Sequence, residues 1–251
     1  MGDLKLLIDL HKDAARQGPG GCEQTCLAIE MSGLKGQPDL KIADIGCGTG
    51  ASTVILARQL DAHITAVDLL PEFLKILDDS VKRAGIEDRI TTLAHPMEEL
   101  PFPEAELDAI WAEGAIYSMG FEAGVNAWRS FLKPGGILAV SEITWLTHAR
   151  PDELQAYWDN EYPEIDTASA KIAVLERQGF SPVGYFPLPE RCWIENYYQP
   201  MRHRFEDFLN VHRHSDAAKA IVEAEETEIA LYERNRDFVS YGFYIARKHA
   251  H

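Results

Sequence analysis

The spacing of apolar positions along the chain alternates between two periods. Leu4 to Ala15 carries a helical pattern and is followed by the punctuated segment Arg16-Gln-Gly-Pro-Gly-Gly21, and Glu23 to Met31 predicts a second helix ending near Gly33. Beyond it, short apolar runs alternate with helical stripes. Ile42 to Ile45 reads as a first strand and Ser52 to Leu60 as its helix; His63 to Val67 reads as a second strand. Pro71 suits a first helical turn, Phe73, Leu74, Leu77 and Val81 make the stripe of the next helix, and Gly85 stops it. Arg89 to Ala94 and Leu107 to Ala112 are the third and fourth strands. Phe121, Val125, Trp128 and Leu132 then recur at helical spacing up to a break at Lys133-Pro-Gly-Gly136, and Ile137 to Val140 is a fifth strand. Trp145 to Gly179 reads as helical and aromatic, with no strand. Ser181 to Leu188 and Phe238 to Ala246 are late strands separated by long helical stretches. Strand–helix alternation of this kind predicts an α/β fold with a parallel sheet and crossover helices.

Composition narrows the partners. The 251 residues suit one large α/β domain with appendages. With 24 Lys and Arg against 40 Asp and Glu, the formal charge is −16, which repels a phosphate backbone. No nucleic-acid partner is expected, and the trio Arg202-His203-Arg204 reads as a solvated helix face. Apolar runs fall short of the roughly 18–20 residues that a membrane span needs, and the start of the chain does not resemble a signal peptide, so a cytoplasmic location is expected. The cysteines, Cys22, Cys26, Cys47 and Cys192, form no C-x-x-C pair, and neither a metal site nor a disulfide framework is expected.

The chemistry gathers at Lys41-Ile-Ala-Asp-Ile-Gly-Cys-Gly-Thr-Gly50, where Gly46, Gly48 and Gly50 lie between a strand and a helix. Such glycines let the backbone approach a ligand and offer it N–H groups and a helix N-terminus. The pattern also satisfies the degenerate dinucleotide fingerprint. Asp44 favours a different ligand: a carboxylate in a buried strand needs a partner, and the ammonium of S-adenosylmethionine (SAM) supplies one, whereas a pyrophosphate is repelled. Asp68, ending the second strand, fits the ribose of either cofactor, and Phe131-Leu-Lys-Pro-Gly-Gly136 leads into the fifth strand.

Taken in order, Asp-Ile-Gly-Cys-Gly-Thr-Gly, Ala-Val-Asp68, Glu98-Glu-Leu-Pro-Phe102 and Leu132-Lys-Pro-Gly-Gly136 resemble the class I SAM-dependent methyltransferases, especially the ubiquinone/menaquinone-methyltransferase-like (methyltransferase type 11) group. The resemblance covers roughly residues 37–143. It implies a Rossmann-like sheet of seven strands, the last one, Phe238 to Ala246, antiparallel. It divides a single domain, 1–251, into an N-terminal helical cap (1–36), a SAM-binding core (37–143) and helical additions (144–180 and 190–236). It places the methionine part of SAM on Asp44 and on Gly46, Cys47, Gly48, Thr49 and Gly50, the ribose on Asp68, and the adenine beside Leu69, Met97 and Glu98. Glu113 and Gly114 would face the sulfonium, and the product would be S-adenosylhomocysteine. His95-Pro96 departs from the family's Gly-Asp, so the carboxylate that often binds the adenine amino group is missing.

Methyl transfer asks chiefly for alignment and exclusion of water, with a base only for acceptors that must lose a proton. Glu113, Tyr117 and His148 are the candidate catalytic residues. Glu113 reads equally as a cofactor-orienting group, Tyr117 also as a wall of the cleft, and His148 also as an exposed loop residue. The place after the fourth strand reads Glu113-Gly-Ala-Ile-Tyr117 and carries no Asn/Asp-Pro-Pro-Tyr motif, which disfavours nucleic-acid acceptors. Trp145, Tyr157, Trp158 and Tyr162, together with Trp193, Tyr197 and Tyr198, either line a small-molecule pocket or staple the added helices to the sheet. Arg16 to Gly21 reads as a lid over the SAM end. A small-molecule methyltransferase leads, ahead of a nicotinamide-dependent oxidoreductase and a catalytically silent SAM-binding module.

Overall fold

The computed structural model describes residues 2–250, so Met1 and His251 of the cap and tail lie outside the described residues. Helices α1 (Gly2–His11) and α2 (Cys22–Ser32) lead into β1 (Leu40–Ile45), α3 (Ala51–Gln59), β2 (Ala62–Asp68), α4 (Pro71–Ala84), β3 (Ile90–Ala94) and β4 (Leu107–Glu113). Then come α5 (Phe121–Arg129), β5 (Leu132–Trp145), α6 (Asp152–Glu161), β6 (Asp166–Thr167), α7 (Ala168–Arg177) and β7 (Phe180–Pro187). Between β7 and the last strand, β8 (Val239–Lys248), lie α8 (Glu190–Trp193), a π turn (Ile194–Tyr198), α9 (Gln199–Arg202), α10 (Phe205–Val211) and α11 (Asp216–Asn235).

The sheet order is β3-β2-β1-β4-β5-β8-β7, with β8 antiparallel to both of its neighbours. From β1 the chain steps outward through β2 and β3, then returns to lay β4 on the other side of β1. That reversal opens a crevice at the carboxyl ends of β1 and β4, the place where such sheets bind ligands. The central strands are buried on both faces, which is why they read as near-continuous apolar runs. One apolar cluster joins α2, α3 and α4 with the aromatic side chains of the late helices, and a second lies under α5 and α7.

The α4 stripe is buried as its periodicity predicts, and Gly85 ends the helix in the left-handed conformation. Three expectations are corrected. The first helix stops at His11 instead of Ala15, because the Gln17 side-chain amide donates to the carbonyls of His11 and Ala14, each at 3.2 Å, and turns the chain. Lys133 to Gly136 does not break the chain ahead of the fifth strand: Leu132 pairs with Leu107 and Ile137 with Ala109, so those residues bulge out within one long β5. The stretch from Trp145 to Gly179 does contain a strand. Asp166 and Thr167 pair with the end of β5, adding an eighth short strand to the expected seven.

Beyond the sheet, α1 packs on α10 and α11. Trp193 of α8 stacks on Tyr232 of α11 at 4.4 Å and donates its indole N–H to Ser240 of β8 at 2.9 Å. The late helices are thereby fixed over the carboxyl end of the sheet together with the N-terminal helix. Among the described residues no helix is long and apolar enough to cross a membrane.

Candidate active site

The loop after β1 carries the glycines at positive φ. A Cβ on Gly46 would overlap the Ala115 side chain, and one on Gly48 would overlap the amide of Gln17, so the backbone comes as close to its surroundings as only glycine permits. Gly46 and Cys47 donate their N–H groups to Val67 at 2.8 and 3.0 Å, which ties the loop to β2. Gly48 donates to one oxygen of Asp68 at 2.8 Å, and Leu70 donates to the other at 2.9 Å. Burial pushes the Asp68 carboxyl up, and the N–H groups of Leu70 and Gly48 pull it back. Asp68 is thus held by two backbone donors in the wall of a cleft.

Asp44 lies fully buried beneath the loop. Its Oδ2 accepts from Ser52 and Thr53 at 2.8 and 2.6 Å, while Oδ1 has no partner among the described residues. Burial raises its carboxyl from 3.8 to about 7, against the pull of the Thr53 and Ser52 hydroxyls. An orphaned carboxylate oxygen under a glycine loop opposes a pyrophosphate and would favour a cation, though Asp44 lines none of the cavities described below.

The Arg16-to-Gly21 segment lies across this loop. Gln17 Oε1 accepts from the Thr49 N–H at 2.9 Å and from its hydroxyl at 3.1 Å. Arg16 forms an ion pair with Glu113, their side chains only 12% and 5% exposed. Glu113 also accepts from the Thr25 hydroxyl at 2.6 Å and the Trp111 indole at 3.0 Å. Both Glu113 oxygens are therefore engaged, and the geometry fits the orienting reading of this residue better than the base reading. The sequence puts Arg16 and Gln17 in a lid over the SAM end without marking their partners, and it does not mark Thr25 or Trp111 as site residues. The one signal for the first two was the glycine-rich punctuation that follows them.

Two cavities open from this point. A cleft of about 420 Å³ runs along the ends of β1, β2 and β3, and it brings together Gly46, Gly48, Asp68, Leu69, Met97, Glu98 and Gly114. Leu69 is 63% exposed, free to cover a flat group, and Trp128 fixes the Met97 backbone by donating to its carbonyl at 3.1 Å. His95 and Pro96 line the same cleft, and the His95 ring turns to the Pro96 carbonyl at 3.1 Å. Cys47 belongs instead to a small recess of about 70 Å³ under Arg16 and Gln17. Thr49 is held by Gln17, and neither Thr49 nor Gly50 lines the cleft.

The second cavity, of about 280 Å³, lies between the ends of β4 and β5 and the late helices. Tyr117, Tyr157, Trp158, Tyr162, Trp193, Tyr197 and Tyr241 line it, with Glu161 and Glu228. Trp145 and Tyr198, from the same aromatic groups, do not. Trp145 is buried in the core under the Arg150 guanidinium, and Tyr198 stands behind Glu228. His148 is exposed beyond β5 and lines none of these cavities, so the structure does not bring it to the site. Gln17, Gly114 and Tyr117 line both the cleft and the aromatic cavity and form their shared wall.

Known proteins share part of this sequence and the fold. Residues 42–136 match the family described as "Methyltransferase domain". A ubiquinone biosynthesis O-methyltransferase of Xylella fastidiosa (strain M23) is 38% identical over 106 residues, covering 41% of this chain and 42% of that protein. The chain thus spans less than half the length of that curated relative. Among solved structures, a SAM-dependent methyltransferase from Geobacter sulfurreducens in complex with S-adenosyl-L-homocysteine superposes with a TM-score of 0.84, at 16% identity, over 96% of this chain and 97% of that one. The [4+2]-cyclase SpnF superposes with a TM-score of 0.76, at 22% identity, over 99% and 93%. At such identities the superpositions establish the fold, and a fold can carry more than one chemistry.

Proposed function

We propose that this chain is a class I SAM-dependent methyltransferase and that it transfers a methyl group from SAM to a small molecule held in the aromatic cavity. The carrying observation is the junction of the two cavities at Gln17, Gly114 and Tyr117. One cavity has the walls that a nucleoside needs, the other is enclosed by flat rings, and a shared wall is where a methyl donor and its acceptor must meet. When bound, SAM supplies an electrophilic methyl group on a sulfonium. The protein's part is to hold both partners and keep water out.

In this reading Asp44 and the Gly46–Gly50 loop, with Cys47 and Thr49, take the methionine portion, Asp68 the ribose, and Leu69, Met97 and Glu98 the adenine. Glu113 and Gly114 set the sulfonium side, Glu113 through its ion pair with Arg16. Tyr117 stands edge-on to Tyr162 at 6.2 Å, between the subsites, and shapes the path. The additions 144–180 and 190–236 form the acceptor lid, and the cap 1–36 closes the donor side.

S-adenosylhomocysteine at a hundredfold excess over its Kd should stabilise the protein by about 2.7 kcal/mol, or roughly 5–10 °C for a chain of this size. Stabilisation by NADH and none by the adenosyl compound in a thermal-shift assay would reverse the reading. Asp68→Asn sets an NH2 group against the backbone N–H of Gly48 or Leu70, so it should loosen the glycine loop as well as weaken S-adenosylhomocysteine binding, the latter by about 1.5–3 kcal/mol. Calorimetry showing unchanged affinity in the folded variant would remove Asp68 from the site.

A further inference from the structure

The aromatic cavity is chemically one-sided. Its charged walls, Glu161 and Glu228, are both acidic, and among the described residues no lysine or arginine lines it. Glu228 also differs from its neighbours on α11. Glu226 and Glu233 pair with Arg202 at 2.9 and 2.6 Å, and Glu225 lies 3.7 Å from His11. Glu228 has no cationic partner among the described residues and accepts only from two phenols, Tyr198 at 2.9 Å and Tyr157 at 3.3 Å. Burial pushes its carboxyl up. The Tyr198 hydroxyl pulls it back, and Glu225 adds repulsion.

A carboxylate among aromatic rings is costly until a cation joins it. The faces of Tyr and Trp rings carry negative potential, so they attract the same charge that Glu228 does and repel an anion. We propose that this cavity takes a small organic ammonium group, a protonated or quaternised amine, held against Glu228 by the rings of Tyr157, Trp158 and Tyr197. A phenolic or alcoholic ligand of the same shape would fill the space and leave Glu228 without its counter-charge. For the methyl transfer proposed above, a protonated amine is the acceptor once it gives its proton to Glu228; the freed lone pair takes the methyl from the sulfonium and leaves S-adenosylhomocysteine, while a quaternary ammonium binds only as product, and the inference rests on that reading for the acceptor role but not for the binding itself.

Trp158 and Trp193 line the cavity and report its occupancy by their fluorescence. With the full chain saturated in S-adenosylhomocysteine, two matched pairs of probes are titrated: phenethylamine against phenethyl alcohol, and choline against its neutral carbon isostere dimethylbutanol. At least one amine is expected to bind about tenfold more tightly than its neutral partner. Glu228→Gln should remove most of that preference, and Trp158→Ala should weaken the amine while S-adenosylhomocysteine affinity is kept. Equal affinity within both pairs, no binding by any probe, or a preference that survives Glu228→Gln overturns the proposal. If the amines are preferred but the thermal-shift assay shows no binding of the adenosyl compound, the cation site stands and the methyl-transfer reading fails.

Discussion

Replacing Glu113 by alanine is expected to destabilise the protein by about 3–5 kcal/mol, the size found when one partner of a buried ion pair is removed. The cost has identifiable parts. Arg16 would keep its charge in a site where its side chain is 12% exposed, and its Nε already lacks a partner. The Thr25 hydroxyl and the Trp111 indole would also lose their acceptor. Glu113→Gln keeps the shape and an oxygen for Thr25 and Trp111, and should cost less in the same direction. Urea unfolding measures both, and proteolysis after Arg16 reports whether the strap has come away from the loop. A Glu113→Ala protein within 1 kcal/mol of the parent, on the order of an exposed pair's worth, would show that the ion pair does not anchor the strap. The functional consequence is that Gln17, next to Arg16, would lose its hold on Thr49, and S-adenosylhomocysteine affinity would fall together with stability.

This pair also shows where a sequence stops being informative. The glycine loop, the Asp68 strand end and the α4 stripe are local patterns. Each is written within a few residues, by glycine conformation or helical period, and each stands in the fold where its pattern puts it. Arg16 and Glu113 lie 97 residues apart, and Glu228 reaches Tyr157 across 71. Nothing in the spacing of either residue marks its partner, because tertiary packing creates the proximity: the segment after α1 lies on the end of β4, and Tyr157 of α6 meets Glu228 of α11. The bulge of Lys133 to Gly136 is a different case: Pro and Gly announce a departure from regular pairing, but whether the strand ends or resumes depends on the partner strand β4. Likewise β6 is too short to carry an alternating pattern and exists through its pairing with Thr144 and Trp145. The aromatic residues of the late helices could be read as pocket or as staple, and the structure divides them. Trp158 and Tyr157 line the cavity, Trp145 is core, and Trp193 does both.

Asp44→Asn is expected to change how stability depends on pH. The buried carboxyl titrates at about 7 in the folded protein, against 3.8 for the ordinary group. Its folded value is raised, so the native state holds this proton more tightly than the unfolded chain does. The resulting stabilisation is present in full below about pH 4 and is lost as pH rises through about 7. The gap between 3.8 and about 7 corresponds to roughly 4 kcal/mol. Asparagine is neutral throughout and can still accept from Ser52 and Thr53, so the variant escapes this loss. The stability of Asp44→Asn minus that of the parent should therefore rise by about 4 kcal/mol between pH 4 and pH 8, measured by paired urea titrations, in which the other acidic groups largely cancel. A flat difference would mean that Asp44 is not the titrating group. The ligand adds a second arm with its own sign. A cation bound near the unpartnered Oδ1 favours the ionised carboxylate, so binding must expel the proton, and S-adenosylhomocysteine affinity should fall as pH drops below about 7 in the parent and stay level in Asp44→Asn. Calorimetry in buffers of different ionisation enthalpy counts the proton released. If the parent releases none at pH 6, the ammonium of the ligand does not meet Asp44, and the methionine portion must be anchored elsewhere on the loop.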